Sequence, residues 1–521
     1  MLSKMQLKMS SRLQTVINLT TGIFTMLVSL VINFFLSSYI VAELGEEANG
    51  FTQLANNFVT YASLLTLAFN SMAARFISVS YHEKELDKMK EYYSSVIVCN
   101  TAMILILAPL AVATIYNLEK LIVIENANVG HVKILFGCVF VNFFANLAVS
   151  VYSISTFVLN RIYLQNMINA IRTALNGVLL LVMFSLLEPK VYYVSLCSMV
   201  LTLAAIPVYG VLQRRIMPQL RFSIRDFRVK AVGQMLKSGI WNTVNQGGNM
   251  LMTGLDLLLA NLFVSPAMMG LLSVAKVVPN AIISLASTLN SNFAPEIVMQ
   301  YSKHNKAEML HTLRSNMKIS SVLISIPIMT FCSFGVQFYS LWVPSLDAKA
   351  LTILSLLTCM AFIPSAGTQT LYNVFTATNH LKVNSVAFLT TGILNLGVVY
   401  FLLGHTSLGV YAIAGVSSSL TIVRNLLITA PYTAKLLELP WYEFYKDVGI
   451  SLLCCALNLV AALVVQLLIP ARGWVLLAVA VIVTCGITLA ADLFVVLNQE
   501  ERKKLINKVC LLYTSPSPRD S

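Results

Sequence analysis

The stretch SGIWNTVNQGGNMLMTGLDLLLANLFVSPAMMGLLSVAKVVPNAIISLASTLNSNFAPEIV, residues 238–298, decides how this chain is read. It holds two apolar runs, about 238–263 and 267–294, each longer than the roughly 20 residues a helix needs to cross a bilayer. Ser265 and Pro266 leave room only for a tight turn between them, so the two runs are neighbouring antiparallel helices. Each also carries a charge well inside it: Asp256 stands nine residues before Ser265 and Lys276 eleven after it. Equal depth on adjacent helices predicts an ion pair between them.

The same pattern repeats along the chain. Apolar runs of spanning length occupy about 15–40, 51–74, 94–116, 132–158, 164–187, 191–213, 238–263, 267–294, 316–339, 349–376, 382–403, 408–432, 447–469 and 474–497. Of the 521 residues, 57% are hydrophobic and 11% charged, and mean hydropathy is +0.77. Soluble domains carry roughly a quarter charged residues, so this composition excludes an ordinary soluble fold. The expected class is an all-α membrane protein with fourteen transmembrane helices. Internal prolines (Pro109, Pro207, Pro279, Pro327, Pro364) do not argue against helix here, because spanning helices tolerate them as kinks.

The formal charge of +13 arises from 35 Lys and Arg against 22 Asp and Glu. The cations sit in short breaks between apolar runs, which is a topology signal and not a nucleic-acid surface. With a cytoplasmic amino terminus, 29 of the 35 fall in cytoplasmic segments, five in outer ones, and Lys276 lies within a helix. That split predicts both termini in the cytoplasm. The first outer loop is acidic, with Glu43, Glu46 and Glu47. The first apolar run is too long for a signal-peptide core and should stay as an anchor. Nine scattered cysteines without ligand spacing read as small core residues.

A shift of 220 residues places Gly50, Ala55, Leu65, Asn70, Ser71, Ala74, Ile77 and Tyr81 on Gly270, Ala275, Leu285, Asn290, Ser291, Ala294, Ile297 and Tyr301. An even shift of six helices keeps orientation, so the halves are expected as parallel repeats around a central cavity. The predicted organisation is an N-lobe of six helices (1–213), a basic cytoplasmic linker (214–237), a C-lobe of six helices (238–436) and two further helices (437–509). The linker holds Arg214, Arg215, Arg221, Arg225, Arg228, Lys230 and Lys237, which also suit anionic headgroups. The last residues, Cys510–Ser521 (CLLYTSPSPRDS), look like translated adapter sequence and are excluded as a non-native tail.

Polar residues form single-faced stripes. Asn242, Asn245, Asn249 and Asp256 follow spacings of 3, 4 and 7, and Lys276, Asn280, Ser284, Ser287 and Ser291 do likewise. Asn142, Asn146, Ser150 and Ser153 form another, as do Asn169, Arg172 and Asn176, and Gln53, Asn56, Thr60 and Ser63. Interhelical hydrogen bonds, about 0.6 kcal/mol each on average, account for any single one. Five such helices point instead to a shared aqueous cavity. Asp256, Lys276, Arg172 and Arg424 lie within apolar runs, where each would cost about 2.5–3.5 kcal/mol facing lipid. Arg172 and Arg424 have no carboxylate in their own helices. A guanidinium matches phosphate oxygens two at a time, so they are candidates for an anionic ligand such as a diphosphate. Asp492 and Arg75, near helix ends, are expected to reach the interface. No Walker loop, dinucleotide loop or HExxH sequence occurs, and no outer loop is long enough for a catalytic domain, so no enzyme activity and no cofactor are expected.

Two six-helix parallel repeats, a basic linker and two extra helices resemble the polysaccharide flippase branch of the multidrug/oligosaccharidyl-lipid/polysaccharide exporter superfamily. The resemblance covers about residues 10–505 and is most recognisable over Ser238–Tyr301. It implies transport of undecaprenyl-diphosphate-linked oligosaccharide from the inner to the outer leaflet of the bacterial cytoplasmic membrane by alternating access. Partners would be that lipid-linked glycan, membrane lipids and a coupling proton or sodium ion. The substrate-site candidates are Arg172, Arg424, Lys276, Asp256, Asn169, Asn176, Asn242, Asn245, Asn249 and Asn280. The rival readings are a cation-coupled drug exporter or lipid II flippase of the same fold, and, from another class, a membrane glycan polymerase or ligase.

Overall fold

The computed structural model describes residues 11–302, 306–378 and 380–496, with residues 499 and 502. Among these no strand occurs, and the chain is helical almost throughout. The predicted tail 510–521 lies outside the described residues.

The first helix, α1 (Ser11–His82), joins the first two predicted crossings. Gly45 breaks it, with φ 81° and ψ 171°, a conformation that an L side chain would oppose. Beside that break Glu47 is buried and accepts from the backbone N–H groups of Glu125 and Asn126, each at 3.3 Å. The acidic stretch read as a loop is thus helical, and Glu47 ties it to a later connection. Then follow α2 (Leu86–Tyr116), the single turn α3 (Leu118–Leu121), α4 (Val129–Val158), α5 (Ile162–Leu186) and α6 (Tyr192–Ile216). Asn128 starts α4 by accepting from the His131 N–H at 3.2 Å. Pro109 and Pro207 lie inside continuous helices, as spanning segments allow.

The basic stretch 214–237 closes α6, runs through a short 3-10 turn (Ile224–Asp226) and opens α7 (Val229–Asn249). It is fastened to α2 and α6. Ser94 Oγ accepts from the Ser223 N–H at 3.2 Å, Ser95 Oγ from the Arg228 N–H at 3.1 Å, and Gln213 donates to the Leu220 carbonyl at 2.6 Å.

Beyond α7 come a π-helical turn (Met250–Gly254), α8 (Asp256–Phe263), α9 (Pro266–Ala275) and α10 (Val277–Ser302). Ser265 caps α9 by accepting from the Met268 N–H at 3.2 Å, and Pro266 fills its first turn, which builds the predicted tight turn. Next are α11 (Lys306–Trp342), α12 (Ala348–Cys359), α13 (Phe362–Ser365), a 3-10 turn (Thr368–Leu371), α14 (Tyr372–Ala377) and α15 (Leu381–His405). α16 (Val410–Arg424), a second π-helical turn (Asn425–Thr429), α17 (Ala430–Leu436), α18 (Tyr445–Leu468) and α19 (Trp474–Val495) complete the order.

Among the described residues eleven helices are long and apolar enough to cross a membrane, or twelve if the bent pair α9–α10 is one span. Two features make that compatible with fourteen crossings. The first span, Thr20–His82, has 63 residues, about three crossings' worth of length for the two that meet at Gly45. The π turn divides Val229–Phe263 into shorter pieces. The chain is a multi-pass membrane protein.

The chain divides into two compact units between Gln246 and Gly247. In the first, a core of Phe69, Ile77, Met89, Tyr93, Val96, Ile154 and Met235 is buried, and Asn70 exchanges two hydrogen bonds with Asn100, at 3.0 and 3.2 Å. In the second, Asn290, the repeat counterpart of Asn70, accepts from Thr370 at 3.4 Å through its side chain and from Asn373 at 3.0 Å through its carbonyl.

In the second unit α18 lies parallel to α11 along a polar ladder. Arg314 pairs with Glu443 and lies 3.9 Å from Asp447. Ser321 and Ser451 hydroxyls meet at 2.6 Å, Asn458 donates to Ser325 Oγ at 2.8 Å, and Gln466 donates to the Ser333 carbonyl at 2.7 Å. The near-constant offset of 129–133 residues between partners means that the two helices run in the same direction and in register.

Candidate functional site

In the first unit α5 presents Asn169, Arg172 and Asn176 on one face, as the spacing predicts. The half-buried Arg172 donates through Nη1 to Asn146 Oδ1 of α4 at 3.4 Å and to Thr202 Oγ1 of α6 at 3.5 Å. Asn169 Oδ1 accepts from the Tyr209 hydroxyl at 3.4 Å. Asn176 Oδ1 is buried without a hydrogen-bond partner. Every partner of Arg172 is neutral, so its positive charge is undiminished and its guanidinium keeps donors in reserve. On α7, Asn242 donates to Ser71 Oγ at 3.4 Å, and Asn245 is half-buried.

In the second unit the predicted ion pair is present. Lys276 Nζ lies 2.6 Å from Asp256 Oδ2, with the side chains 13% and 3% exposed. Its second bond goes to the Thr253 carbonyl at 3.1 Å. Thr253 belongs to the π turn Met250–Gly254. A π turn widens the spacing of backbone bonds, so a carbonyl there is available to an outside donor. Asn249 and Asn280 are exposed on the faces that flank this pair.

Arg424 is only 4% exposed. Its Nη2 donates to the Tyr372 hydroxyl at 3.1 Å, and its Cζ lies 3.6 Å from the centroid of the Phe388 ring. Tyr372 in turn donates to Asn425 Oδ1 at 2.6 Å. Arg424 Nε, Arg424 Nη1 and Asn425 Nδ2 are buried without hydrogen-bond partners. Among the described residues neither Arg424 nor Arg172 has a carboxylate within 4.0 Å. The second π turn, Asn425–Thr429, starts at the residue after Arg424. Both π turns among the described residues therefore stand beside charges set within apolar runs.

One helix links these features. α15 carries Phe388, and its Asn395 donates to the Leu251 and Met252 carbonyls of the first π turn, each at 3.1 Å. A Cβ on Gly248 would stand 2.6 Å from the Leu389 nitrogen, and one on Gly392 would stand 2.8 Å from the Gly248 carbonyl oxygen. Only glycine allows this approach.

Sequence reading missed Tyr372 and Phe388 as partners of Arg424, Asn425 as the acceptor behind Tyr372, and Thr202 as a partner of Arg172. Asn425 alone left a trace, as the polar neighbour of an intramembrane arginine. Asp492 is a correction. It was expected to reach the interface, but it is 0% exposed and bonded to Asn458 Nδ2 at 2.9 Å. The eight described cysteines are free, five of them buried; Cys510 lies outside the described residues.

No family model matches the chain. It is 25% identical over 500 residues to the uncharacterized membrane protein EpsK of Bacillus subtilis strain 168, covering 94% of this chain and 97% of that one. Among solved structures it is similar to the lipid II flippase MurJ in an inward closed conformation, with a TM-score of 0.67 and 12% identity over 95% of this chain and 100% of MurJ. It is also similar to an inward-facing multidrug resistance MATE family transporter of the MOP superfamily, with a TM-score of 0.59 and 13% identity over 82% of this chain and 94% of that one. The fold is that of the MOP superfamily transporters and flippases. This is the exporter superfamily that Ser238–Tyr301 resembles.

Proposed function

We propose that this chain is a flippase that carries undecaprenyl-diphosphate-linked oligosaccharide from the inner to the outer leaflet of the bacterial cytoplasmic membrane by alternating access. The observation that carries this reading is Arg424: a buried guanidinium without a carboxylate, with two donors and the amide of Asn425 left over. Hydrocarbon resists a sugar diphosphate because unpaired polar groups cost several kcal/mol each to bury, and charges far more. A guanidinium with spare donors offers phosphate oxygens a bidentate partner, and the lipid tail stays in the bilayer. Arg172 supplies a second uncompensated cation. Lys276, held by Asp256, supplies positioning, and the asparagines 169, 176, 242, 245, 249 and 280 supply donors and acceptors for sugar hydroxyls. The lobes are 1–213 and 238–436 with linker 214–237, and both termini are cytoplasmic.

A cation-coupled drug exporter of the same fold would bind cationic cargo, which two uncompensated arginines repel. The likeness to MurJ extends over 95% of the chain, whereas the MATE likeness covers 82% of it. A lipid II flippase differs from this proposal only in the glycan carried, and complementation of the corresponding mutant separates the two. A glycan polymerase or ligase would need catalytic residues on an outer loop, and none of the breaks between crossings is long enough.

The test is export. Arg172→Ala together with Arg424→Ala abolishes surface glycan while the protein is still inserted at normal abundance. Normal export by that double variant ends the proposal.

A further inference from the structure

Asp492 lies where α19 meets the ladder of α11 and α18. It is fully buried, as are Asn458 and Ser325. Asn458 Nδ2 donates both to Asp492 Oδ2 at 2.9 Å and to Ser325 Oγ at 2.8 Å, which fixes the amide between two oxygens. Two acceptor oxygens are then left over: Asp492 Oδ1 and Asn458 Oδ1 are both buried without a hydrogen-bond partner. Around them α18 presents the Cys454 and Cys455 thiols. α19 itself presents Thr488, whose hydroxyl is turned to the Thr484 carbonyl at 2.8 Å.

The charge of this carboxylate has no counterpart nearby. Among the described residues no Lys, Arg or His lies within 4.0 Å of it. The charged groups of the ladder, Arg314, Lys318 and Asp447, gather at its far end. From Asp447 to Asn458 is eleven residues, about 16 Å of helix at 1.5 Å per residue. An ionised carboxylate at such depth, with one amide and the weak Cys454 thiol as its donors, is held at a cost of several kcal/mol. A cation on the free oxygens removes that cost, and two orphaned acceptors on bonded side chains are what a cation needs and a hydrogen-bond acceptor does not.

We propose that Asp492 and Asn458 form a site for a small monovalent cation, a proton or a sodium ion. Between this site and the Arg314–Asp447 end, α11 and α18 share the buried Ser321–Ser451 hydroxyl pair. The site is separate from the Asp256–Lys276 pair, whose carboxylate already has its cation. Binding itself does not depend on the flippase reading. The role of this ion as the coupling ion does rest on that reading.

The test uses the purified full-length chain without any lipid-linked sugar, so its outcome is independent of glycan export. One arm measures equilibrium binding of radiolabelled sodium. The other records the protonated-carboxyl band in infrared difference spectra as pH is stepped. The expected result is saturable sodium binding or a titrating carboxyl band in the wild type, lost in Asp492→Asn and kept in Asp87→Asn, whose carboxylate is exposed in the first turn of α2. Sodium binding identifies the ion as sodium, and a band without sodium binding identifies it as a proton. Asn458→Ala keeps the carboxylate, so it reads the site even if Asp492→Asn does not fold; it weakens sodium binding roughly tenfold or more, or moves the midpoint of the band. A wild type that binds no sodium, with a carboxyl spectrum unchanged by Asp492→Asn and by Asn458→Ala, overturns the proposal.

Discussion

Arg424 places its guanidinium carbon 3.6 Å from the centroid of the Phe388 ring, and the Tyr372 hydroxyl takes one of its N–H groups at 3.1 Å. The ring holds one face of the cation without using any of its donors, because the attraction is to the π cloud. Nε and Nη1 stay unfilled for that reason. Phe388→Leu keeps the apolar volume and removes the π face. It is expected to lower stability by about 0.5–2 kcal/mol, read by thermal denaturation in detergent. An unchanged midpoint would mean that the contact contributes nothing.

Lys276 and Asp256 form a pair whose halves are unequal to lose. Removing one partner strands the other charge in an apolar setting, at about 3–5 kcal/mol. Lys276→Met is therefore expected to be severely destabilised, and Lys276→Met with Asp256→Leu to recover most of the loss. Thermal midpoints of the two variants check this. A double variant no better than the single one would show that the π turn, and not the charge, sets the stability.

Gly248 and Gly392 let α15 approach the first π turn closer than any side chain permits. Gly392→Leu forces a side chain into Leu251 and the Gly248 carbonyl and is expected to cost about 1–3 kcal/mol or more. Gly397→Leu, on the same helix, has nothing within 4 Å of its Cβ and should be near neutral. Comparable monodisperse yields of the two variants would contradict the packing described.

Ser321 and Ser451 are two hydroxyls that satisfy each other at 2.6 Å between α11 and α18. A double-mutant cycle with Ser321→Ala and Ser451→Ala is expected to return a coupling near 0.6 kcal/mol, and no more than about 1.7. Zero coupling would mean that this hydroxyl pair adds nothing to the adhesion of α18.

Much of this was legible in the residues. The apolar periodicity gave the helices, and Ser265-Pro266 gave the turn that brings Asp256 and Lys276 to one level. What was hidden has a common physical origin. Periodicity locates a side chain on its own helix but does not say which helix lies opposite, so Phe388 and Tyr372 could not be matched to Arg424. The π turns at Met250–Gly254 and Asn425–Thr429 carry no composition signal. Depth was misjudged for Asp492 because it was measured along α19, whereas its partner Asn458 lies thirteen residues into α18, near the middle of that helix.

The most direct test of the flippase account measures affinity of the purified protein for undecaprenyl diphosphate in detergent, comparing wild type with Arg424→Lys and Arg424→Ala. Lysine keeps the charge but not the planar fork, so both variants should bind at least about tenfold more weakly, a loss of 1.4 kcal/mol or more. Equal affinity in all three would contradict the claim that this guanidinium receives the diphosphate.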